Sequence, residues 1–195
     1  MNDNVNFGDL PTFKPDPAKV LAAICFLIEE AGERGEELTQ YDIVKSIFKA
    51  DERHLNDFGR PITYDNYIAM EHGPVGDMAI DMLNSLFDWA IVGLRNAPWQ
   101  RSAPIGGKAV FHHLSVSRDR DALSGSDERM LLAALVETKA QGFKTVRQTL
   151  HRNAAYRAAY KTRTGKAAPM DWRLIGRCRD DELIDDLVAY SHAPG

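Results

Sequence analysis

Residues 39–59 constrain the fold more than any other stretch, because they carry a full set of helix start, stripe and stop signals. Thr39-Gln40-Tyr41-Asp42 reads as a capping box, with Asp42 in the place of the usual Glu or Gln. Ile43, Ile47, Phe48, Leu55 and Phe58 follow at helical spacing, and Gly59 closes the run. Such a stripe has to be buried, so neighbouring elements are obliged to pack on it. Upstream, Asp16-Pro17 is an N-cap followed by proline at the first helical position, and Val20, Ile24, Leu27 and Ile28 repeat at helical spacing. A helix from 17 to about 33 is expected, ended by Gly32 and Gly35.

Beyond Gly59 the signals shorten. Gly59-Arg60-Pro61-Ile62-Thr63 reads as a turn with a short extended piece. Residues 67–70 fit a helical turn or a short strand, and periodicity does not decide between them. Gly73-Pro74 is punctuation, after which residues 75–87 repeat apolar side chains every three or four positions. Residues 89–94 and 109–116 are β-prone, with Pro98, Pro104 and Gly106-Gly107 between them, which predicts a hairpin with a long loop. Ser124-Gly125-Ser126-Asp127 starts another helix, Gly142 breaks it, and residues 144–150, 154–160 and 181–190 read as further helices around a basic loop at 162–169. The expected class is mainly α: a compact helical domain with one small β-hairpin. Residues 1–15, with Pro11 and Pro15, are expected as a flexible arm, 16–162 as the domain, and 163–195 as a basic loop and C-terminal helix packed on it.

Of 195 residues, 44% are hydrophobic and 27% charged, the balance of a soluble globular chain. Residues 20–28 form the longest apolar run and meet Glu29 and Glu30 well short of the roughly 20 residues a membrane helix requires. The first residues lack the basic start and apolar core of a secretory signal. Cys25 sits in an apolar helical run, far from Cys178, so a buried thiol in a reducing cytoplasm is expected. The formal net charge of −4 conceals a segregation. Residues 1–90 hold 7 Lys/Arg against 17 Asp/Glu, whereas residues 139–166 hold 8 basic residues and no acidic one. That basic segment is either a docking surface for an acidic partner or a helix face paired with the acidic front half.

No catalytic constellation assembles from the motifs. Asp51 and His54 lie three apart on one helix face and could be two metal ligands, but no H-E-x-x-H or C-x-x-C supplies the rest. His112-His113 point to opposite faces of a predicted strand. There is no G-x-S-x-G, and Gly106-Gly107-Lys108 lacks the remaining residues of a phosphate loop. No cofactor is expected. Between Lys139 and Lys166, Arg147, Arg152, Arg157, Lys161 and Arg163 interleave with Phe143, Tyr156 and Tyr160. This mixture suits phosphate contacts and base stacking, and it equally suits a protein interface.

The stretch 47–63, IFKADERHLNDFGRPIT, resembles the signature of the Panacea, or SocA-like, antitoxin domain: a helix ending in aromatic-Ala-Asp and His-Leu, running into Tyr/Phe-Gly-x-Pro-Ile-Thr. Tyr67, Ala69 and Met70 then lead into Gly73-Pro74-Val75, like the Gly-Pro-Val turn of that family. Residues 123–150 followed by His151 and Tyr156 resemble its closing helices, with Leu150 and Tyr156 departing from the commoner threonine and tryptophan. The resemblance spans about residues 18–162. It implies an antitoxin rather than an enzyme, one that neutralises a cognate protein toxin by direct contact or by delivering it to an AAA+ protease.

On that reading Phe48, Gly59, Pro61, Tyr67, Gly73 and Pro74 are scaffold. Asp51 and His54 either hold a loop by hydrogen bonds or touch the partner. The partner-binding candidates are Trp99, Arg147, His151, Arg152, Tyr156, Arg157 and Lys161. Two alternatives remain: a DNA-binding autorepressor that contacts operator DNA through the basic segment, and a metal-dependent hydrolase built on Asp51, His54 and a distant histidine.

Overall fold

The capping box at Thr39 and Asp42 forms in both directions and opens helix α2, Gln40–Phe58, which Gly59 closes in the left-handed region at φ 71°. This computed structural model describes residues 6–102, 109–113, 121–177 and 180–193. Helix α1, Pro17–Glu33, starts at Asp16, whose carboxylate accepts from the Ala18 and Lys19 amides. The other helices are α3 (Asp77–Leu83), α4 (Gly125–Leu150), α5 (Ala154–Thr162) and α6 (Asp181–His192). Ser124 and Asp127 form a second capping box at the head of α4, and Gly142 kinks that helix at φ 67°. None of the helices among the described residues is long and apolar enough to cross a membrane.

The mainly helical class holds, the β-prone run 109–116 contains a strand and residues 67–70 resolve to one, while other strands arise where the pattern did not place them. Residues 67–70 are strand β1 (Tyr67–Met70), paired antiparallel with β2 (Gly73–Gly76), Ile68 opposite Val75. The basic loop ends in β5 (Ala168–Pro169), which joins the free edge of β1 and makes a three-stranded sheet. A separate two-stranded sheet pairs β3 (Trp99–Arg101) with β4 (Phe111–His113). The β-prone run 89–94 is not a strand: Trp89–Val92 is a short 3-10 turn, capped by the Asp88 carboxylate on the Ala90 amide. A run of apolar residues this short has no periodicity to separate the two outcomes. The loop tip at 103–108, residues 114–116 and Cys178 lie outside the described residues.

Helix α2 is the partition of the fold. Residues 43–51 are buried without interruption, sheathed by α1, α3, α4 and β2. On one side Ile43, Val44, Ile47 and Ala50 join the larger core, with α1, Met82, Trp89, Phe111 and Leu131. On the other, Phe48 and Leu55 join Tyr67, Val146, Tyr156 and Trp172 in a second core. The segment expected to be a flexible arm is anchored at Phe13, which packs edge-on against Tyr64 and Trp172. The Asn66 side chain holds the Phe13 backbone through both its amide and its carbonyl.

At the head of α3 the N-cap position is Gly76, which has no side chain to offer, and Asp65 supplies the cap from a distance. Its carboxylate accepts from the Met78 and Ala79 amides at 3.0 and 2.9 Å. A Cβ on Gly76 would lie 2.3 Å from Asp65 Oδ2, and that oxygen is buried and pinned by two amides. Gly76→Ala should therefore destabilise the fold by about 1–3 kcal/mol in urea unfolding. Gly32→Ala, in open space on α1, should leave stability unchanged or raised.

Candidate partner-binding face

The signature residues of α2 turn inward. Asp51, fully buried, accepts from the Ile62 amide at 2.8 Å, the Thr63 amide at 3.1 Å, the Thr63 hydroxyl, and the Tyr67 hydroxyl at 2.7 Å. One carboxylate thus fixes the connector after Gly59 and the start of β1. Pro61 is buried in that connector, and Phe48 packs edge-on against Tyr67 at 4.9 Å. Burial pushes the Asp51 carboxyl up, against the pull of its Thr63 and Tyr67 hydrogen bonds. His54 commits both ring nitrogens: Nδ1 lies 2.8 Å from the Arg60 carbonyl, and Nε2 lies 3.0 Å from Asp127 Oδ1 and 3.1 Å from Ser126 Oγ. Arg60 closes the set with a 2.9 Å hydrogen bond to Asp127. Burial pushes the Asp127 carboxyl up, but His54, Ser124 and Arg60 outweigh it and hold it well below the usual carboxylate range. Asp51 and His54 are therefore consumed in holding the 59–63 connector and the head of α4. Among the described residues no three His, Cys, Asp or Glu side chains gather as metal ligands.

The outward chemistry lies beyond Gly73-Pro74. His151, Tyr156 and Tyr160 stack in sequence with centroids 4.5 and 5.2 Å apart, and the Arg163 guanidinium lies 4.0 Å over the Tyr160 ring. Across the β1–β2 turn, Phe143 stands nearly half exposed between Tyr41, at 4.7 Å, and His72, at 5.5 Å. Below them the Lys45 amine is buried and donates to the Pro74 carbonyl at 2.6 Å. Burial holds its amine far down, at about 7. Burial, with Arg147 and Lys45 close by, also lowers the His151 imidazole.

The candidates named from sequence separate on this map. Arg152, Arg157 and Lys161 are exposed, and Arg147 and His151 are half-buried. His151, Arg157 and Lys161 line a shallow depression of about 550 Å³ with Ala154 and Ala158. Two candidates are largely buried, and one of them, Tyr156, still lines the depression together with Tyr160. Trp99 is buried, its ring 5.4 Å from Trp89, because β3 turns it into the larger core. Tyr156 is buried and donates its hydroxyl to the Met70 carbonyl at 2.9 Å, which ties α5 to β1. The acidic front half takes up Lys139, which reaches Asp42 at 3.5 Å, but Arg152, Arg157 and Lys161 remain displayed. Sequence reasoning missed Tyr41, Lys45 and His72. The available signal was Lys45 itself, a lysine set inside the apolar run Ile43-Val44-Lys45-Ser46-Ile47-Phe48.

Residues 43–155, more than half of the chain, match the model of the antitoxin SocA-like, Panacea domain family, and the chain belongs to that family. No curated protein and no solved structure matches it.

Asp51→Asn places an NH2 among four donors. It should cost about 2–4 kcal/mol in denaturant unfolding, the range for a broken buried charge-assisted network. Lys45 sets a pH dependence. Its folded value, about 7, lies below the ordinary 10.5, so between those values the unfolded chain holds more protons than the folded one. Stability therefore rises with pH across that window by up to about 1.4 kcal/mol per unit. Lys45→Met should remove this rise, as read from unfolding curves at pH 7, 8 and 9.

Proposed function

We propose that this protein is the antitoxin of a toxin–antitoxin pair, acting in the cytoplasm by binding a protein toxin and not by catalysis. Family membership supports the antitoxin role, and one structural observation favours direct contact: Arg152, Arg157 and Lys161 stand exposed beside His151 and Arg147. Exposed cations around a desolvated aromatic base steer and orient an acidic protein surface. The rigid stack beneath them holds α4, α5 and β1 in one arrangement, so the face is already formed before binding. Handing the bound toxin to an AAA+ protease would follow from the same contact.

Co-expression with the product of the adjacent reading frame tests this. A neighbour that is toxic alone, and harmless and copurifying with this protein, supports direct neutralisation; a neighbour that disappears from the lysate supports proteolytic delivery. Failure of both, with steeply salt-dependent binding to the promoter of its own operon, would replace the proposal by DNA-binding autorepression. The double substitution Arg152→Glu, Arg157→Glu should leave the circular dichroism spectrum unchanged. It should weaken toxin binding at least tenfold at low salt, about 1.4 kcal/mol, and less at high salt. Unchanged affinity at low salt would place the interface elsewhere.

A further inference from the structure

A charged amine buried in a fold ordinarily meets a carboxylate, because hydrogen bonds to neutral groups replace little of its lost hydration. Two other buried cationic or ring-nitrogen groups on α2 follow this pattern. Lys49 meets Glu137 at 2.9 Å, and His54 meets Asp127 at 3.0 Å. Lys45 does not. One of its three N–H groups reaches the Pro74 carbonyl, the Tyr41 ring lies 5.3 Å away, and no carboxylate among the described residues stands within ion-pairing distance.

The amine is part of the wall of a groove of about 550 Å³ between the first turns of α2, the β1–β2 turn and the loop 163–166. Val44, Met70, Val75 and Ile80 make the groove apolar, while Arg163 and Lys166 add positive charge at its rim. Gly73 belongs to this wall, at φ +105°, where a Cβ would sit 3.4 Å from the Lys45 amine. A side chain there would touch the amine, so the glycine keeps space beside it, although the amine is almost wholly covered in the free protein.

We infer that this groove is a carboxylate receptor: it takes an acidic side chain of a protein partner, flanked by apolar residues, and seats the carboxylate against Lys45 and Arg163. The partner class rests on the antitoxin reading, in which the toxin brings the acidic segment. Charge and shape choose a peptide over a nucleic acid. Apolar walls match aliphatic side chains on either side of a single carboxylate, a pattern that a run of phosphates does not offer, and Lys45, Arg163 and Lys166 outnumber Glu71 in the groove. The groups that face the amine are Tyr41 on its own helix, Glu71 and His72 on the turn, His151 at the end of α4, and Arg163 and Lys166 on the loop.

The peptide N-acetyl-Leu-Glu-Leu-amide tests the site without a toxin. It should bind the intact protein at pH 6 at least tenfold more tightly than N-acetyl-Leu-Gln-Leu-amide, and the Lys45 ε-methylene NMR signal should titrate at a higher pH in its presence. Since burial lowers Lys45 to about 7, affinity should weaken up to tenfold per pH unit between pH 7 and 9. Lys45→Met should abolish both the preference and its pH dependence, whereas Gly32→Ala, on α1 and outside the groove, should keep them. Arg163→Glu with Lys166→Glu, on the exposed loop, should weaken binding several-fold and serves if Lys45→Met is misfolded. Equal binding of the two peptides, an unmoved Lys45 titration, or tighter binding of inorganic phosphate or a short single-stranded oligonucleotide would overturn the inference. Peptide binding with no toxic neighbour would retain the receptor and remove the toxin. Toxin binding undisturbed by Lys45→Met would retain the antitoxin and remove the receptor.

Discussion

Complete burial of the central segment of α2 is the condition that the rest of the structure satisfies. A helix sheathed on every side cannot send its polar residues to water, so its charged and ring side chains turn to adjoining elements for partners, while the small Ser46 hydroxyl is left without one. Lys49 finds α4 through Glu137, and Arg53 reaches the same carboxylate. Asp51 finds the connector and β1. His54 finds the Arg60 carbonyl and the head of α4. The hydrophobic effect supplies the drive to cover this helix but is indifferent to register; the polar contacts set it, because sliding any neighbour by one residue would strand a buried charge.

The same arrangement separates scaffold from surface. Asp127 caps α4 from within while accepting from Arg60, and Asp65 caps α3 while lying in the same buried connector. The family's signature residues therefore spend their hydrogen-bonding capacity on each other. The basic residues of α4 and α5 are carried outward by a stack of His151, Tyr156 and Tyr160 that is itself anchored on Met70 of β1. The exposed basic side chains Arg152, Arg157 and Lys161 thus stand apart from the buried network around the signature turn.

The helices were legible in the sequence because their signals are local. Asp16-Pro17, the Thr39–Asp42 box, Ser124–Asp127 and Gly142 each act within one turn, so the chain announces them wherever it packs. The strands were not, because pairing is a long-range property. Nothing within residues 67–70 says that Ala168 and Pro169 will lie beside them, and the choice of a helical turn over a strand at 89–92 rests on a single Asp88 cap. Burial of the aromatics was left open by the sequence for a similar reason. Trp99 sits in a proline-flanked stretch that reads as a loop, yet the turn of β3 delivers it to Trp89. Tyr156 and Tyr160, four apart, fit either a surface or a core edge, and the Tyr156 hydroxyl closes a contact with a strand 86 residues away in the chain.

Lys45 shows where reading by pattern and reading by energy part company. As a pattern it is one polar residue in an apolar run, easily assigned to the solvent side of an amphipathic helix. Because α2 has no solvent side along that segment, the same residue becomes the one buried amine on it whose counter-charge is missing among the described residues. A fold that pairs Lys49 and His54 with carboxylates has the means to neutralise Lys45 or to replace it with an aliphatic residue of similar volume, and the latter is commonly neutral or favourable to stability. Retaining a buried amine with no counter-charge among the described residues is a cost to the isolated chain. That cost is recovered when a carboxylate arrives from outside, which makes the unpaired lysine a statement about the bound state and not about the free one.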